Sequence, residues 1–233
     1  MKECIILAGG MGTRLKSIIS DLPKCMAPIN GKPFLFYILE WLKKNNFERV
    51  ILSLGYKSEV IIDFTKENTW PFEILWVIEK EPLGTGGAIC LSLGLSKSSN
   101  IFIINGDTFF DIDIMQFYKC HLENEADLSI AAKPLINYNR YGSLVCDNND
   151  RIIGFTEKKP TVEGIINGGI YLLKSTSILL SEKTGRFSFE TDILEKEYSK
   201  SRLFAFRDDG YFIDIGIPED YHKAEIDFKV FFG

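Results

Sequence analysis

Gly9, Gly10 and Gly12 stand directly after the apolar run Cys4-Ile5-Ile6-Leu7-Ala8 and directly before Thr13-Arg14. Glycine lets a chain turn sharply and brings backbone N–H groups close to a ligand. Arg14 adds a planar, permanently charged fork suited to phosphate oxygens. Leu7-Ala8-Gly9-Gly10-Met11-Gly12-Thr13-Arg14-Leu15 thus has the composition of a phosphate cradle at the end of a strand. A strand-to-helix turn that needs glycine for geometry alone would read the same way. Two common cradles are excluded. A dinucleotide fingerprint requires G-x-G-x-x-G, and counting from Gly10 its third glycine would fall on Leu15. A P-loop closes on G-K-[ST], which the chain lacks.

Other residues able to do chemistry are spread along the chain. Asp107, in Asn105-Gly106-Asp107, follows an apolar strand pattern. Asp214, in Phe212-Ile213-Asp214-Ile215-Gly216, has a similar setting, with Pro218 opening a helix pattern. Carboxylates so placed are hard oxygen ligands for magnesium, and each taken singly also reads as a helix cap or turn residue. Beside a phosphate cradle, the pair favours a metal-bound phosphate site. Lys24 lies between Pro23 and Pro28, which hold the backbone around it extended. Glu157-Lys158 has no such constraint and is the ordinary composition of a solvated surface. Asn167-Gly168-Gly169 opens a strand pattern with an amide and two glycines, which suits a hydroxyl-rich ligand or a β-bulge.

The elements that must position these residues follow from periodicity. Apolar runs predict strands over 3–6, 49–54, 73–78 and 101–104, with helices over 34–44, 58–66, 88–95 and 114–123 between them. Asn30-Gly31 predicts a turn, and Pro33 suits the first position of the 34–44 helix. Strand and helix alternating at this spacing imply an α/β fold whose mostly parallel sheet is covered on both faces. Later runs at 128–132, 143–146, 152–155 and 169–173 predict antiparallel additions that form a lid over the carboxyl edge. Asp147-Asn148-Asn149-Asp150 predicts a hairpin turn between two of them, and helices are expected near 190–198 and 218–228. In open sheets of this kind ligands lie beyond the carboxyl ends of the strands. The cradle, Leu83-Gly84-Thr85-Gly86-Gly87 and Asp107 should meet there.

Composition narrows the class. A length of 233 residues suits a single domain, and 45% hydrophobic with 25% charged residues is usual for a soluble globular protein. A net charge of -5 argues against a nucleic-acid partner, and no apolar run approaches membrane-spanning length. Any phosphorylated ligand would be held by local positive charge and metal rather than by a global field. Cys4, Cys25, Cys90, Cys120 and Cys146 form no C-x-x-C pair, so neither a zinc site nor a disulfide framework is indicated. With the first strand beginning almost at Met1, a cytoplasmic protein with no leader is the expectation.

The ordered set Leu7-Ala8-Gly9-Gly10-x-Gly12-Thr13-Arg14-Leu15, Pro23-Lys24, Leu83-Gly84-Thr85-Gly86-Gly87-Ala88, Asn105-Gly106-Asp107, Glu157-Lys158, Asn167-Gly168-Gly169-Ile170-Tyr171 and Asp214-Ile215-Gly216-x-Pro218 resembles the sugar-1-phosphate nucleotidylyltransferases. The resemblance runs from the first strand to about Tyr221. Glu81-Pro82-Leu83-Gly84-Thr85-Gly86-Gly87-Ala88 and Tyr211-Phe212-Ile213-Asp214-Ile215-Gly216 are similar to its guanylyl-transferring members. The resemblance implies a Rossmann-like three-layer sandwich forming one domain over 1–233. Its nucleotide-binding half would be about 1–125 and its sugar-phosphate-binding half about 126–233. It implies GTP and a sugar 1-phosphate as substrates and Mg²⁺ as cofactor, and leaves room for a homo-oligomer.

The roles below are those the resemblance implies. Leu7, Ala8, Gly9, Gly10, Gly12, Thr13, Pro82, Gly84 and Thr85 would wrap the nucleotide, with Arg14 on its outer phosphates. Lys24 would stabilise charge on the α-phosphate, and Asp107 and Asp214 would hold the metal. Lys158 would hold the phosphate of the sugar phosphate, and Gly142, Glu157 and Asn167 would line the sugar pocket. Guanine presents adjacent N–H donors, so a carboxylate at Glu79 or at Glu81 would read it. Asn137-Tyr138-Asn139-Arg140-Tyr141-Gly142 would read the sugar's exocyclic arm, or is a solvated loop. Cys25 stands where the family often has a second proline, and Lys159 separates Lys158 from Pro160. A non-catalytic nucleotide sensor is the alternative class, against which stand the retained Arg14, Lys24, Asp107, Lys158 and Asp214.

Overall fold

Successive side chains of the central strands point to opposite faces of the sheet, and this alternation builds a hydrophobic core on each side. The computed structural model describes residues 1–10, 21–177, 179–180 and 183–233. Gly12, Thr13 and Arg14 of the predicted cradle lie outside the described residues.

In chain order, β1 (Glu3–Leu7) precedes a 3₁₀ turn at Lys24–Met26 and a small hairpin of β2 (Pro28–Ile29) and β3 (Lys32–Pro33). Then come α1 (Phe34–Lys44), β4 (Arg49–Leu54), α2 (Ser58–Glu67), β5 (Glu73–Ile78) and α3 (Gly84–Leu93). The first half closes with β6 (Asn100–Asn105), β7 (Thr108–Phe110) and α4 (Ile114–Glu123). The second half begins with β8 (Leu128–Tyr138), β9 (Ser143–Cys146), β10 (Ile152–Thr156) and β11 (Thr161–Lys174). A π-helical turn at Glu190–Leu194 runs into α5 (Glu195–Glu197), followed by β12 (Leu203–Arg207), β13 (Phe212–Asp214) and α6 (Pro218–Phe231). None of the described helices is long and apolar enough to cross a membrane.

The parallel strands lie in the order β5, β4, β1, β6. The sheet then continues through antiparallel β11 and β8, with β12 parallel to β8. The β9–β10 hairpin docks on the first part of β11. Cys4 and Ile6 of β1, Val50 and Leu52 of β4, and Phe102 and Ile104 of β6 pack into one core with α1 and α6. Ile5, Ile51, Ile101 and Ile103 pack into the other, with Ile89 of α3 and Ile193 of the π turn. This is the expected mixed α/β sandwich.

Several boundaries differ from the sequence reading. Pro33 caps α1 from an extended conformation (ψ 147°) rather than occupying its first turn. The helix expected from Ala88 begins at Gly84 and ends at Leu93, because tertiary packing described below overrides the low helix propensity of glycine. β8 and β11 extend well beyond their apolar runs, since their outer parts pair with each other away from the core. β7, β12 and β13 were not expected, and the helix expected over 190–198 is mostly a π turn.

Chain order in the sheet reverses at β1: the path goes from β1 to β4 and β5 on one side, then returns to β6 on the other. The crevice outside such a switch point is where an open sheet binds its ligand. At the opposite end of β1, Glu3 is wholly buried. It pairs with Arg49 and accepts from the backbone N–H groups of Lys97 and Ser98. Those bonds pin the sheet at the end away from the crevice.

Candidate active site

A cleft of about 600 Å³ opens beyond the carboxyl ends of β1, β4, β5 and β6. Leu7, Ala8, Gly9 and Gly10 form one wall, Glu79 through Pro82 with Gly84 and Thr85 another, and Lys24, Asn105 and Asp107 the end. The described part of the cradle therefore sits where the sequence pattern placed it. Gly9 has little room for a side chain: a Cβ there would lie 3.1 Å from Glu79 Oε1 and 3.3 Å from the Gly55 nitrogen. Glu79, one residue beyond β5, is half-buried and its Oε2 accepts from Leu83 N at 2.8 Å. Glu81 is exposed. Of the two candidates, Glu79 alone has its carboxylate fixed by the backbone of the following loop.

The charged centre is a lysine between two aspartates. Lys24 Nζ lies 2.5 Å from Asp107 Oδ2 and 3.5 Å from Asp214 Oδ1, and its side chain is mostly buried. Two short strands make this possible. β7 leaves directly from Asp107, and β13 pairs with it antiparallel, setting Asp214 opposite Thr108. Ile215 N also donates to the Asp107 carbonyl oxygen at 3.1 Å. Burial pushes the Asp214 carboxyl upward, the Asp107 charge adds to the rise, and Lys24 offsets part of it. Two carboxylates against one ammonium leave an excess negative charge in a half-buried place, so a further cation is favoured. The oxygen donors are of the hard type that magnesium takes, and one or two carboxylates beside phosphates are its usual protein share. Among the described residues, no larger cluster of His, Cys, Asp or Glu is arranged to hold a metal.

Cys25, next to this lysine, is buried and its thiol is pushed up to about 12 by burial and then by the Asp107 charge. It is an inert packing residue.

A second cleft, of about 380 Å³, is lined by Asn137, Arg140, Tyr141 and Asp214. Asp214 is the residue that links it to the charged centre. Arg140 Nη2 pairs with Asp220 on α6 and donates to the Tyr141 hydroxyl at 2.6 Å. The segment expected to be either an arm reader or a solvated loop is thus a structured wall, its first two residues belonging to β8. Asn167 lies where the β8–β11 register breaks, with its side chain held by Tyr171 and Gly169. Gly142 immediately precedes β9. Glu157 and Lys158 are exposed just past β10 and line neither cleft.

Sequence reasoning missed two features of the first cleft. Glu190 of the π turn lines it. The segment before that turn is seated on the glycines of α3: a Cβ at Gly84 would lie 2.4 Å from the Phe187 carbonyl oxygen, and one at Gly86 would lie 2.1 Å from the Phe187 ring. Gly86 N donates to Phe187 O at 3.1 Å and Phe187 N to Leu83 O at 3.0 Å. These glycines serve a seam within the protein. The only signal for it in the sequence is the glycine run itself, which gives no hint of its partner.

Comparison with known proteins agrees with this geometry. A profile of the nucleotidyl transferase family matches residues 3–229. The chain is 45% identical to the D-glycero-alpha-D-manno-heptose 1-phosphate guanylyltransferase of Aneurinibacillus thermoaerophilus, over 96% of each chain. It is 48% identical to the Campylobacter jejuni enzyme of the same name, over 94% of this chain and 97% of that one. The crystal structure of HddC from Yersinia pseudotuberculosis complexed with GMP-PN superposes with a TM-score of 0.89 at 43% identity, covering 98% of this chain and all of that one.

Proposed function

The chain belongs to the nucleotidyl transferase family, and from that premise we propose that it transfers GMP from GTP to D-glycero-α-D-manno-heptose 1-phosphate, giving GDP-heptose and pyrophosphate. The observation that carries this reading is the Lys24 ammonium set between Asp107 and Asp214 at the switch point of the sheet. The two near-full-length heptose 1-phosphate guanylyltransferase relatives support the choice of substrates.

The reaction needs no covalent enzyme intermediate. An anionic oxygen of the sugar phosphate forms a bond to the α-phosphorus of GTP while the bond to the bridging oxygen breaks, and pyrophosphate leaves with the electron pair. No proton must be moved to the nucleophile, so the protein's work is alignment and charge neutralisation. Lys24, held mostly buried between prolines, supplies positive charge where the α-phosphate gains bonding. Gly9 and Gly10 offer backbone at close range to the triphosphate, with Gly12, Thr13 and Arg14 as the proposed continuation. Asp107 and Asp214 would hold Mg²⁺, which as a Lewis acid would draw charge from the phosphoryl oxygens. Tyr141, Arg140 and Asn137, in the second cleft beyond Asp214, are proposed to read the hydroxyls of the sugar's exocyclic arm.

A panel of the four common nucleoside triphosphates against heptose 1-phosphate and mannose 1-phosphate, followed by pyrophosphate release, tests the reading. GTP with the heptose phosphate is expected to give the highest kcat/KM. A site that hydrogen-bonds the extra arm leaves polar groups unpaired with mannose, which can discriminate strongly. A preference for mannose 1-phosphate would remove the heptose assignment while keeping guanylyl transfer, and absence of pyrophosphate with every pair would favour a nucleotide sensor.

The base is tested separately. Glu79→Gln replaces an acceptor-only group that would face the N1–H and 2-amino donors of guanine. It is expected to weaken GTP use by about 1–3 kcal/mol in kcat/KM, the cost of a buried donor left unpaired. Unchanged GTP preference in this variant would move the base contact to Glu81 or to the backbone.

A further inference from the structure

Glu190 opens the π turn and its carboxylate lines the first cleft, yet the transfer described above makes no use of it. Its Oε2 accepts from Thr85 Oγ1 at 2.7 Å and from Ser188 Oγ at 3.1 Å, and its Oε1 accepts from the Tyr171 hydroxyl at 3.5 Å. These described partners are all hydroxyls. Three hydroxyls from three different segments thus converge on one carboxylate at the edge of the cleft. The π turn that presents it is a rare conformation found disproportionately at functional sites.

Both oxygens lead into binding walls. Thr85 is in the first turn of α3, where its Oγ1 also accepts from Phe189 N at 2.8 Å, fastening that turn to the Phe187 seam. Tyr171 is wholly buried, so its hydroxyl must find partners inside the protein. It donates to Glu190 and accepts from Asn167 Nδ2 at 2.8 Å. Asn167 sits at the register break of β11, a feature that re-aims side chains and terminates regular pairing. A continuous polar chain thus runs Thr85–Glu190–Tyr171–Asn167, from the helix beside the nucleotide cleft to a residue of β11 that the family resemblance gives to the sugar pocket.

We propose that Glu190 is a positioning residue that couples the donor wall at Thr85 to the acceptor wall at Asn167, so that each substrate is held in the geometry the other requires. The proposal rests on the donor side assigned above and on the place that the resemblance gives Asn167 in the sugar pocket. It predicts cross-effects: damage on one side of the link is felt by the substrate on the other.

The test uses the full chain with Thr85→Val, Tyr171→Phe and Glu190→Gln, measuring KM for GTP and for heptose 1-phosphate, each at saturating partner. Thr85→Val is expected to raise KM for the sugar phosphate about fivefold as well as that for GTP. Tyr171→Phe, which keeps the ring and its packing, is expected to raise KM for GTP by a similar factor, and Glu190→Gln to raise both. Combining Thr85→Val with Tyr171→Phe should lower kcat/KM hardly more than the worse single change, since both cut the same link. Effects confined to the near substrate, or multiplying in the double variant, would overturn the coupling. So would variants with lowered Tm and both KM values unchanged, which would make the network structural only. If the unaltered enzyme prefers another nucleotide or sugar phosphate, the substrate reading fails by itself. The same variants measured with the preferred pair then decide the coupling.

Discussion

Asp107→Ala is expected to lower kcat by about 10²-fold or more while the protein remains folded. The magnitude is that of losing one preorganised electrostatic group from a phosphoryl-transfer site. Asp107 lies just beyond β6, half-exposed to the cleft, so its removal opens no core cavity. It does strip Lys24 of its nearest partner, and among the described residues the ammonium then leans on Asp214 alone. The loss should therefore resist rescue by added magnesium, whereas a defect in substrate binding alone would yield to higher GTP. Steady-state kinetics with magnesium and GTP varied independently, beside a thermal melt, measure this. A folded Asp107→Ala protein with kcat within about threefold of the parent would remove Asp107 from the reacting centre.

Lys24→Met should be comparably damaging, for a different reason. The substitution keeps the length of the side chain and its apolar stem, but leaves two carboxylates facing each other with no charge between them. Asp214 is already pushed upward by burial and by Asp107, and Lys24 is the largest of the influences opposing that rise, ahead of the Gly216 N–H and Arg140. Without it, a negatively charged α-phosphate would approach an uncompensated negative site. A fall in kcat of about 10²-fold is expected, with KM for GTP changed much less, because the charge matters most in the transition state. A variant in which KM rises and kcat is kept would make Lys24 a ground-state binding group instead.

The parts of the fold legible in the sequence are those with a clear period. Arg49–Leu54 and Phe34–Lys44 each carry an uninterrupted pattern, and the structure reproduces both spans. β7 and β13 have only three residues each, too few to show a period. β12 was legible in principle, since its run Leu203-Phe204-Ala205-Phe206 is closed by the turn residues Asp208-Asp209-Gly210, yet the sequence reading passed over it. Asp107 and Asp214 could be singled out because each ends an apolar run with a glycine close by, and Lys24 because it lies between Pro23 and Pro28. Their common site was anticipated from the phosphate cradle and the family resemblance, but the β7–β13 ladder that brings them together was not. Glu190 looked like any glutamate of an exposed helix; only Thr85 and Tyr171, remote in the chain, distinguish it.

The seam between Phe187 and the glycines of α3 bears on how such an enzyme could acquire a new donor or acceptor. A recombination joining the first 125 residues of one relative to the remainder of another would keep each half's principal strands intact. It would also set one parent's α3 against the other parent's Phe187 segment, where a single added methyl group at Gly84 or Gly86 finds no space. Crossovers that carry residues 185–190 together with the first half avoid this mismatch, although they leave Tyr171 to meet a foreign Glu190. Exchange of base preference by shuffling segments is therefore constrained at two points far apart in the gene, and lineages that diverged in their nucleotide should show paired change there.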